Sequence, residues 1–280
     1  MPSVQVKLDL FPVDKGKLTS KPETETTELM QCYSIERRIP EIARTVNQSF
    51  SSDPLIQWLR PNAVPWIKQD QRTLSWQYRR IQRIMLEGEV FGSLSVEQMA
   101  MQYPRQGRDG VSAEAKSDVS KSMHVEKNSI SGNDAGAVVF LFPPQGRKSW
   151  NIPRAWLACK LWVLDRLKPL DDNASERRVE ILLDKHEDSV KSLRKKYLRN
   201  KLWYLEVIAV HPSLQSRGLG GGVMRWILEH IQNEPIYLEC TRKENIGFYQ
   251  SFGFEVAEEV EMTDDQEDFR HWVMVRPGGL

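Results

Sequence analysis

Apolar residues follow two kinds of spacing along the chain, and each kind predicts a different element. Helical spacing predicts five helices, over residues 39–50, 66–87, 152–167, 179–200 and 223–231. Shorter alternating or continuous apolar runs predict strands over residues 4–10, 32–37, 90–99, 137–142, 202–210 and 236–240. Asp53-Pro54 and Pro143-Pro144 end the elements that precede them, because proline continues neither a helix nor a sheet ladder.

Two stretches lack this pattern and set the organisation of the chain. Residues 1–31 are interpreted as an N-terminal extension, of which residues 15–28 are polar and rich in Thr, Lys and Glu. Residues 105–135 are dense in Ser, Gly, Asp and Lys, and they bury too little apolar surface to offset the entropy of ordering. We therefore predict one domain over residues 32–280, with a disordered insertion at 105–135 inside a hairpin.

Composition removes several classes of function. The 280 residues are 40% hydrophobic and 28% charged with a net charge of +1, whereas a general nucleic-acid binder usually carries a basic excess. No apolar run reaches the length of a signal peptide core or a membrane span. Cys32, Cys159 and Cys240 are too widely spaced for a metal site, so we expect reduced thiols and no metal. We expect a cytoplasmic protein, with the nucleus as the alternative, without nucleic-acid or membrane partners; the sequence predicts no oligomeric state.

A strand, a glycine-rich turn and a helix follow one another between residues 202 and 231. The turn reads Gln215-Ser216-Arg217-Gly218-Leu219-Gly220-Gly221-Gly222. The start of a helix leaves backbone N–H groups unbonded and carries the positive end of the helix dipole. Glycines let this backbone approach a phosphate without a Cβ in the way. The segment therefore predicts a phosphate-binding turn, with the side chains of Gln215 and Arg217 as further donors.

Two other phosphate-binding motifs fit this turn less well. A P-loop requires Gly-Lys-Ser or Gly-Lys-Thr, which the turn lacks. A dinucleotide fingerprint requires Gly-x-Gly-x-x-Gly, and Val223 stands where its third glycine belongs.

Two motifs in this part of the chain resemble conserved blocks of the GNAT acetyltransferase superfamily. Gln215-x-x-Gly218-x-Gly220, after a strand that ends at Val210-His211-Pro212, resembles its acyl-CoA signature. Asn245…Phe248-Tyr249…Gly253-Phe254 resembles its fourth block. Further matches make the chain most similar to the puromycin N-acetyltransferase branch: Tyr204-Leu205, Leu238-Glu239 and Trp272-Val273-Met274. The resemblance covers about residues 202–275 and is loose in the first half.

The resemblance implies a fold and a co-substrate. The fold is α/β (α+β), with helices that flank a mixed, strongly curved sheet whose fourth and fifth strands, 202–210 and 236–240, splay apart. The pantetheine of acetyl-CoA, the implied co-substrate, enters that gap, and the acyl-CoA-binding core spans 202–256. The implied binding residues are Ile208, Val210, Gln215, Ser216, Arg217, Gly218, Leu219, Gly220, Asn245 and Tyr249, with the backbone amides of Arg217, Gly218 and Gly220 on the pyrophosphate.

Three residues are candidates for the chemistry of acetyl transfer to an amine. The amine must lose a proton, and the leaving thiolate must be protonated or stabilised. By the resemblance, Tyr249 lies near the sulfur and donates its proton, since phenol and thiol pKa values of about 10 and 8.5 are comparable. Glu206 and Glu239 lie in apolar strands, where burial is expected to raise the pKa of a carboxylate and suit it to accept a proton. The alternatives are a packed tyrosine and structural ion pairs.

Other residues have a functional and a structural interpretation. Asn245 either contacts the pantetheine or caps the helix that follows. His186 is interpreted as a surface histidine, with a position facing the substrate as the alternative. Cys240 is interpreted as an inert buried thiol, because no His-Asp set accompanies it. The tryptophans are interpreted mostly as core, with one or two in an acceptor pocket: Trp58, Trp66, Trp76, Trp156 and Trp162.

The function that follows is acetyl-CoA-dependent N-acetylation of a primary amine of a small molecule, by direct attack on the thioester. A protein or histone N-acetyltransferase is the first alternative. A non-catalytic acyl-CoA-binding module is the second, because a fold alone does not give a function.

Overall fold

The computed structural model describes residues 29–31, 38–61, 71–104, 132–144, 152–167, 174–197 and 202–279. The strands in these residues are β1 (Leu29–Gln31), β2 (Glu89–Ser93), β3 (Ala137–Phe142), β4 (Trp203–Val210), β5 (Ile236–Cys240), β6 (Glu255–Thr263) and β7 (Asp268–Arg276). The helices are α1 (Ile39–Ser49), α2 (Pro54–Leu59), α3 (Gln71–Glu87), α4 (Val96–Gln102), α5 (Ile152–Leu167), α6 (Glu176–Lys196), α7 (Leu219–His230) and α8 (Ile246–Gln250).

The strands form one mixed sheet in the order β1-β2-β3-β4-β5-β7-β6. β4 and β5 pair in parallel, and the other pairs are antiparallel. One face packs against α7, where Ala137, Val139 and Leu141 of β3 meet apolar residues of that helix. The other face packs against α1 and α3 through Val138 and Phe140. The predicted fold class, a mixed sheet flanked by helices, is confirmed.

Most of the elements predicted from periodicity are present. The predicted helices 39–50, 152–167 and 179–200 correspond to α1, α5 and α6, and the strands 137–142 and 236–240 correspond to β3 and β5. The sheet begins earlier than predicted, because β1 pairs with β2 and lies in the predicted extension. The predicted strands 4–10 and 32–37 and most of the predicted insertion lie outside the described residues.

The predicted strand over residues 90–99 is wrong in its second half. β2 ends at Ser93, and α4 begins after Ser95. The Ser95 side chain accepts a hydrogen bond from the Gln98 amide, and the Gln98 side chain accepts one from the Ser95 amide. This capping box satisfies two donors at the helix start, and it outweighs the apolar pattern that favoured a strand.

The end of the predicted insertion is also ordered. Asp134 is buried and accepts a hydrogen bond from the Arg44 guanidinium at 2.5 Å. Ala135 is buried in the core between the sheet and α1. A buried ion pair therefore holds the last residues of the predicted insertion against α1.

We expect Ser95→Ala to destabilise the protein by about 1 kcal/mol, which lowers Tm by about 2–4 °C. The substitution removes the acceptor of the capping box, while Ser95→Thr keeps it and serves as the control. Thermal unfolding followed by circular dichroism measures both variants. Equal losses in the two variants would mean that the cap does not stabilise α4.

The tryptophans divide between core and surface. Trp58 is buried, whereas Trp156 and Trp162 of α5 are 71% and 60% exposed, so their assignment to the core was wrong. Helical periodicity identified α5 but did not show which side of it meets the rest of the protein. Trp66 lies outside the described residues. Among the residues that the structure describes, no helix is both long and apolar enough to cross a membrane.

Candidate active site

The two central strands part in the middle of the sheet. β4 and β5 pair only over Trp203–Leu205 and Ile236–Leu238. On its other side β4 stays paired with β3 as far as Val210. The edge of β4 that faces β5 is therefore open from Glu206 onward, as predicted for strands four and five.

Glu206 is the extra residue of a β-bulge in β4. Phe140 and Leu141 of β3 pair with Val207 and Leu205 of β4. Glu206 lies between these pairs and has no partner of its own in β3. A bulge bends the strand and turns its side chains to new directions. This bulge coincides with the point at which β4 leaves β5.

A cavity of about 1220 Å³ opens at this point. Its walls come from β3, β4, β5, α1, α2, α3, α6 and α8. Seven of the residues predicted for the site line it, namely Glu206, Ile208, Val210, Gln215, Glu239, Asn245 and Tyr249. The predicted turn residues 216–220 follow Gln215 at its edge and do not line the cavity itself.

The glycine-rich turn presents unbonded backbone donors. Gly218 has φ +81° and is the N-terminal cap of α7, a conformation that L side chains rarely adopt. Its carbonyl accepts hydrogen bonds from the amides of Gly221 and Gly222 at 3.1 and 3.3 Å. Within the described residues, no acceptor binds the amides of Gly218, Leu219 or Gly220. A Cβ at Gly218 would have no atom within 4 Å, so the turn has room for an anion.

The two side chains predicted as extra donors at the turn bind the protein itself. Arg217 donates to the carbonyls of Tyr103 and Ser213 at 2.7 and 3.2 Å. Gln215 donates to the carbonyl of Val210 at 3.0 Å. These contacts fix the turn against α4 and the end of β4, which leaves the backbone amides as the donors at the helix start.

Glu206 forms an ion pair across the cavity. The Arg80 guanidinium of α3 donates to Glu206 Oε1 at 2.6 Å, and Arg80 also lies over the Trp76 ring, 5.7 Å from its centroid. Glu206 Oε2 is buried and has no hydrogen-bond partner. A buried carboxylate oxygen without a donor is costly, so a ligand that donates a hydrogen bond there is favoured. No sequence pattern distinguishes Arg80, because α3 carries several arginines at similar spacing.

Glu239 is the centre of a buried polar cluster. His186 of α6 lies 2.9 Å from its Oε1 through Nδ1, and the Tyr204 hydroxyl donates to its Oε2 at 3.1 Å. His271 of β7 is buried, with Nε2 3.8 Å from Glu239 Oε1. The interpretation of His186 as a surface histidine is wrong, since its side chain lines the cavity. Sequence placed it on a helix but did not show that this helix packs over β5.

The cluster shifts the pKa values of both partners. Burial by itself raises the pKa of Glu239, but the His186 hydrogen bond, the charges of His186 and His271 and the Tyr204 hydroxyl together lower it. The expectation that burial makes Glu239 a stronger base is therefore wrong. The hydrogen bond to Glu239 raises the pKa of His186 above its usual value, against the opposing effect of burial.

Tyr249 lies in α8, lines the cavity and packs among aromatic rings. Its ring centroid lies 5.2 Å from that of Phe248 and 5.9 Å from that of Phe254. Burial, with the neighbouring Cys240 and Asp53, raises the pKa of the phenol. The hydroxyl therefore stays protonated at all physiological pH values, and full proton transfer to a thiolate is less favourable than the ordinary pKa implies. Its natural role at such a site is to donate a hydrogen bond.

Two further candidates have structural explanations. Cys240 is buried, and burial raises the pKa of its thiol, which agrees with an inert cysteine. Asn245 stands at the N-terminal cap of α8, but its side chain makes no capping hydrogen bond and is exposed at the rim of the cavity. Of its two predicted roles, capping is therefore wrong.

Residues 181–256 match the model of a protein family described as "Acetyltransferase (GNAT) domain". The match runs from the middle of α6 through β4, α7, β5 and α8 to the first residues of β6. It therefore contains the turn, the parting of the strands and the cavity residues from Leu182 to Tyr249. Residues 181–256 are therefore similar to a GNAT acetyltransferase domain, and the match supports an acyltransferase enzyme.

Several solved structures align with most of this chain. One is described as "histone acetyltransferase HPA2 and related acetyltransferase" from Corynebacterium glutamicum, with 12% identity over 91% of this chain and 98% of that chain and a TM-score of 0.49. Arylalkylamine N-acetyltransferase 2 from Aedes aegypti has 12% identity over 89% and 97%, with a TM-score of 0.49. The polyamine N-acetyltransferase of Drosophila melanogaster has 9% identity over 83% and 93%, with a TM-score of 0.42. At these identities the similarity identifies no substrate.

Proposed function

We propose that the protein is an acetyl-CoA-dependent N-acetyltransferase that acetylates a primary amine of a small molecule by direct attack on the thioester. The GNAT match over residues 181–256 supports the class of enzyme. The unbonded amides at Gly218 to Gly220 suit a pyrophosphate, because a helix start favours an anion. The open edge of β4 suits the pantetheine arm, whose amides need backbone partners.

The observation that carries the proposal is the bulge at Glu206. It lies where β4 leaves β5, and it holds one carboxylate oxygen on Arg80 and one buried oxygen without a partner. An ammonium group supplies the missing donor and compensates the negative charge. We assign Glu206 the binding of the acceptor amine beside the gap in the sheet.

Tyr249 and the turn complete the assignment of roles. Bound acetyl-CoA supplies a thioester whose acyl carbon is open to attack by an amine. The Tyr249 hydroxyl, kept protonated by its raised pKa, donates a hydrogen bond to the sulfur as negative charge develops there. Residues Gln215 to Gly220 hold the co-substrate, with Ile208 and Val210 on the open edge and Asn245 at the rim.

The walls of the cavity favour a small acceptor with apolar surface. Aromatic rings line it from several elements, among them Trp76 on α3, Phe142 on β3 and the stacked rings of Tyr204 on β4 and Tyr237 on β5, 4.7 Å apart. These rings offer apolar surface to an acceptor, beside the charged side chains that line the same cavity. The resemblance to the puromycin N-acetyltransferase branch agrees with this acceptor class and stays a prediction, as does the cytoplasmic location.

A thiol-release assay with acetyl-CoA and a panel of amines and N-terminal peptides tests the function. We expect turnover with a small apolar amine, and we expect Glu206→Gln to raise the KM of that amine about tenfold while the KM of acetyl-CoA is unchanged. The neutral amide loses the charge that attracts an ammonium. Turnover with peptides alone would support a protein acetyltransferase. Acetyl-CoA binding by calorimetry without any turnover would support a binding module, and no binding would contradict the proposal.

A further inference from the structure

His186 presents one free ring nitrogen to the cavity. Its Nδ1 is bound to Glu239, and its ring lies 5.3 Å from the Tyr204 ring, so both its direction and its rotation are fixed. Within the described residues Nε2 has no hydrogen-bond partner, and it is not one of the buried atoms that lack one. The side chain lines the cavity and is 30% exposed. Nε2 is therefore open to a ligand in the cavity.

Glu239 determines which nitrogen of His186 carries the proton. The carboxylate is held ionised by its partners, and an ionised carboxylate only accepts hydrogen bonds. The Nδ1 atom of His186 must then be the donor, which leaves the lone pair of a neutral imidazole on Nε2. This arrangement is the one in which a histidine accepts a proton from a substrate.

We propose that His186 is the base of the acetyl transfer and that Glu239 is a positioning residue that acts through it. The inference rests on the proposed function. Nε2 of His186 takes a proton from the attacking amine, and the electron pair of that N–H bond stays on nitrogen. Nitrogen bonds to the acyl carbon, the carbon–sulfur bond breaks, and its electron pair leaves with the sulfur. Because the amine is bound as an ammonium, its nitrogen then loses a second proton to the thiolate, and the imidazolium returns the first proton to water, so atoms and charge balance.

The two glutamates suit this step less well than His186. Both oxygens of Glu239 are occupied, one by His186 and one by the Tyr204 hydroxyl. Glu206 Oε1 is engaged by the Arg80 guanidinium, and its Oε2 is assigned to binding the acceptor ammonium. The partners of Glu239 lower its pKa and make it a weak base, whereas an imidazole titrates near neutral pH, where it is both unprotonated and able to accept a proton.

The groups around His186 favour a base that works near neutral pH. Glu239 on β5 and Glu206 on β4 stabilise the imidazolium, whereas Arg194 on the same helix opposes it. Tyr204 and Tyr237 face the ring in their neutral forms, because burial raises both of their pKa values. His271, on the far side of Glu239, has a lowered pKa because it is buried. Since the net effect raises the pKa of His186, the acidic limb of kcat/KM should lie above pH 6.5.

The test is the pH profile of kcat/KM for the wild type, His186→Asn and Glu239→Gln. We expect His186→Asn to lose about 100-fold in kcat near pH 7.5 and to lose the acidic limb, with unchanged acetyl-CoA binding by calorimetry. The asparagine amide keeps the hydrogen bond to Glu239 at the position of Nδ1, so the helix stays in place. The titration of the amine itself near pH 10 is well separated from this limb.

Glu239→Gln separates the two roles. Because Glu239 raises the pKa of His186, its neutral replacement should move the acidic limb to lower pH without removing it. A limb that vanishes in Glu239→Gln and persists in His186→Asn would make Glu239 the base and overturn the proposal. The matched control is His230→Gln. His230 also pairs with a glutamate, Glu89 at 3.0 Å, but neither residue lines the cavity, so its profile should keep the wild-type shape.

The pH profile of the wild-type enzyme by itself tests whether the base is a histidine or a carboxylate. A limb near pH 4 to 5 in the wild type would indicate a carboxylate base and contradict the inference, even if a variant failed to fold. Full activity and an unchanged limb in His186→Asn would contradict it as well. Absence of turnover in the wild type with every amine and peptide would refute the proposed function itself. The other outcomes concern only the identity of the base and do not contradict the proposed function.

Discussion

Gly218→Asp is expected to weaken the binding of acetyl-CoA about 1000-fold while the protein stays folded. Gly218 has φ +81°, and aspartate is one of the few residues that tolerate such a conformation. The new side chain enters open space, since nothing lies within 4 Å of a Cβ there. A carboxylate about 4 Å from a phosphate charge costs about 4 kcal/mol in a partly screened environment, which is about 1000-fold in Kd. Isothermal calorimetry measures this loss directly.

Gly218→Asn is the matched control for this prediction. Asparagine has the same shape and the same tolerance of positive φ, but it carries no charge. We expect it to weaken binding only about tenfold, because it brings a Cβ to the turn without repelling the anion. Acetyl-pantetheine, which lacks the pyrophosphate, should be used equally well by the wild type and Gly218→Asp. Equal losses for aspartate and asparagine would show that the turn does not bind the anion.

Tyr249→Phe is expected to lower kcat about 100- to 1000-fold with little change in the Kd of acetyl-CoA. The substitution removes one hydrogen-bond donor to the developing thiolate, and loss of a single donor of this kind typically has such an effect. Stability should change little, because the hydroxyl has no hydrogen-bond partner within the described residues. Steady-state kinetics give kcat, and calorimetry with thermal unfolding gives the other two quantities.

The pH dependence distinguishes Tyr249 from His186. Because burial raises the pKa of Tyr249, its hydroxyl stays protonated from pH 6 to 9, and the ratio of wild-type to variant kcat should be constant over that range. Tyr78→Phe is the control, since Tyr78 is a partly buried tyrosine of α3 that does not line the cavity. A Tyr249→Phe variant with wild-type kcat would show that Tyr249 contributes to packing and does not donate a hydrogen bond in the reaction.

The sequence predicted the parts of the site that depend on neighbouring residues. The turn from Gln215 to Gly222 follows a buried strand and precedes an amphipathic helix, and its glycines permit the backbone conformation that Gly218 adopts. Backbone preference and the direction of N–H groups at a helix start are local properties. For this reason the strand, turn and helix could be predicted before any contact between distant residues was known.

Local patterns gave wrong predictions in two situations. In one, a strand pattern and a helix cap occurred in the same segment; in the other, the buried side of a helix had to be predicted. The apolar run after Val90 predicted one long strand, but the capping box at Ser95 started a helix. The tryptophans of α5 were assigned to the core, yet Trp156 and Trp162 are exposed. Periodicity gives the type of an element, while the side that is buried depends on what packs against it.

Local sequence patterns predicted the strand, glycine turn and helix of the second half and marked Glu206, Glu239 and Tyr249 as candidates for the chemistry. The partners of these residues follow from the fold alone. Arg80 binds Glu206 although the two residues are 126 positions apart in the sequence, and His186 binds Glu239 across a separation of 53 positions. The pairing with His186, and not burial alone, lowers the pKa of Glu239 and leaves Nε2 of His186 free. Sequence spacing encodes local geometry, whereas the charge of a buried group is determined by whatever residue the fold brings beside it.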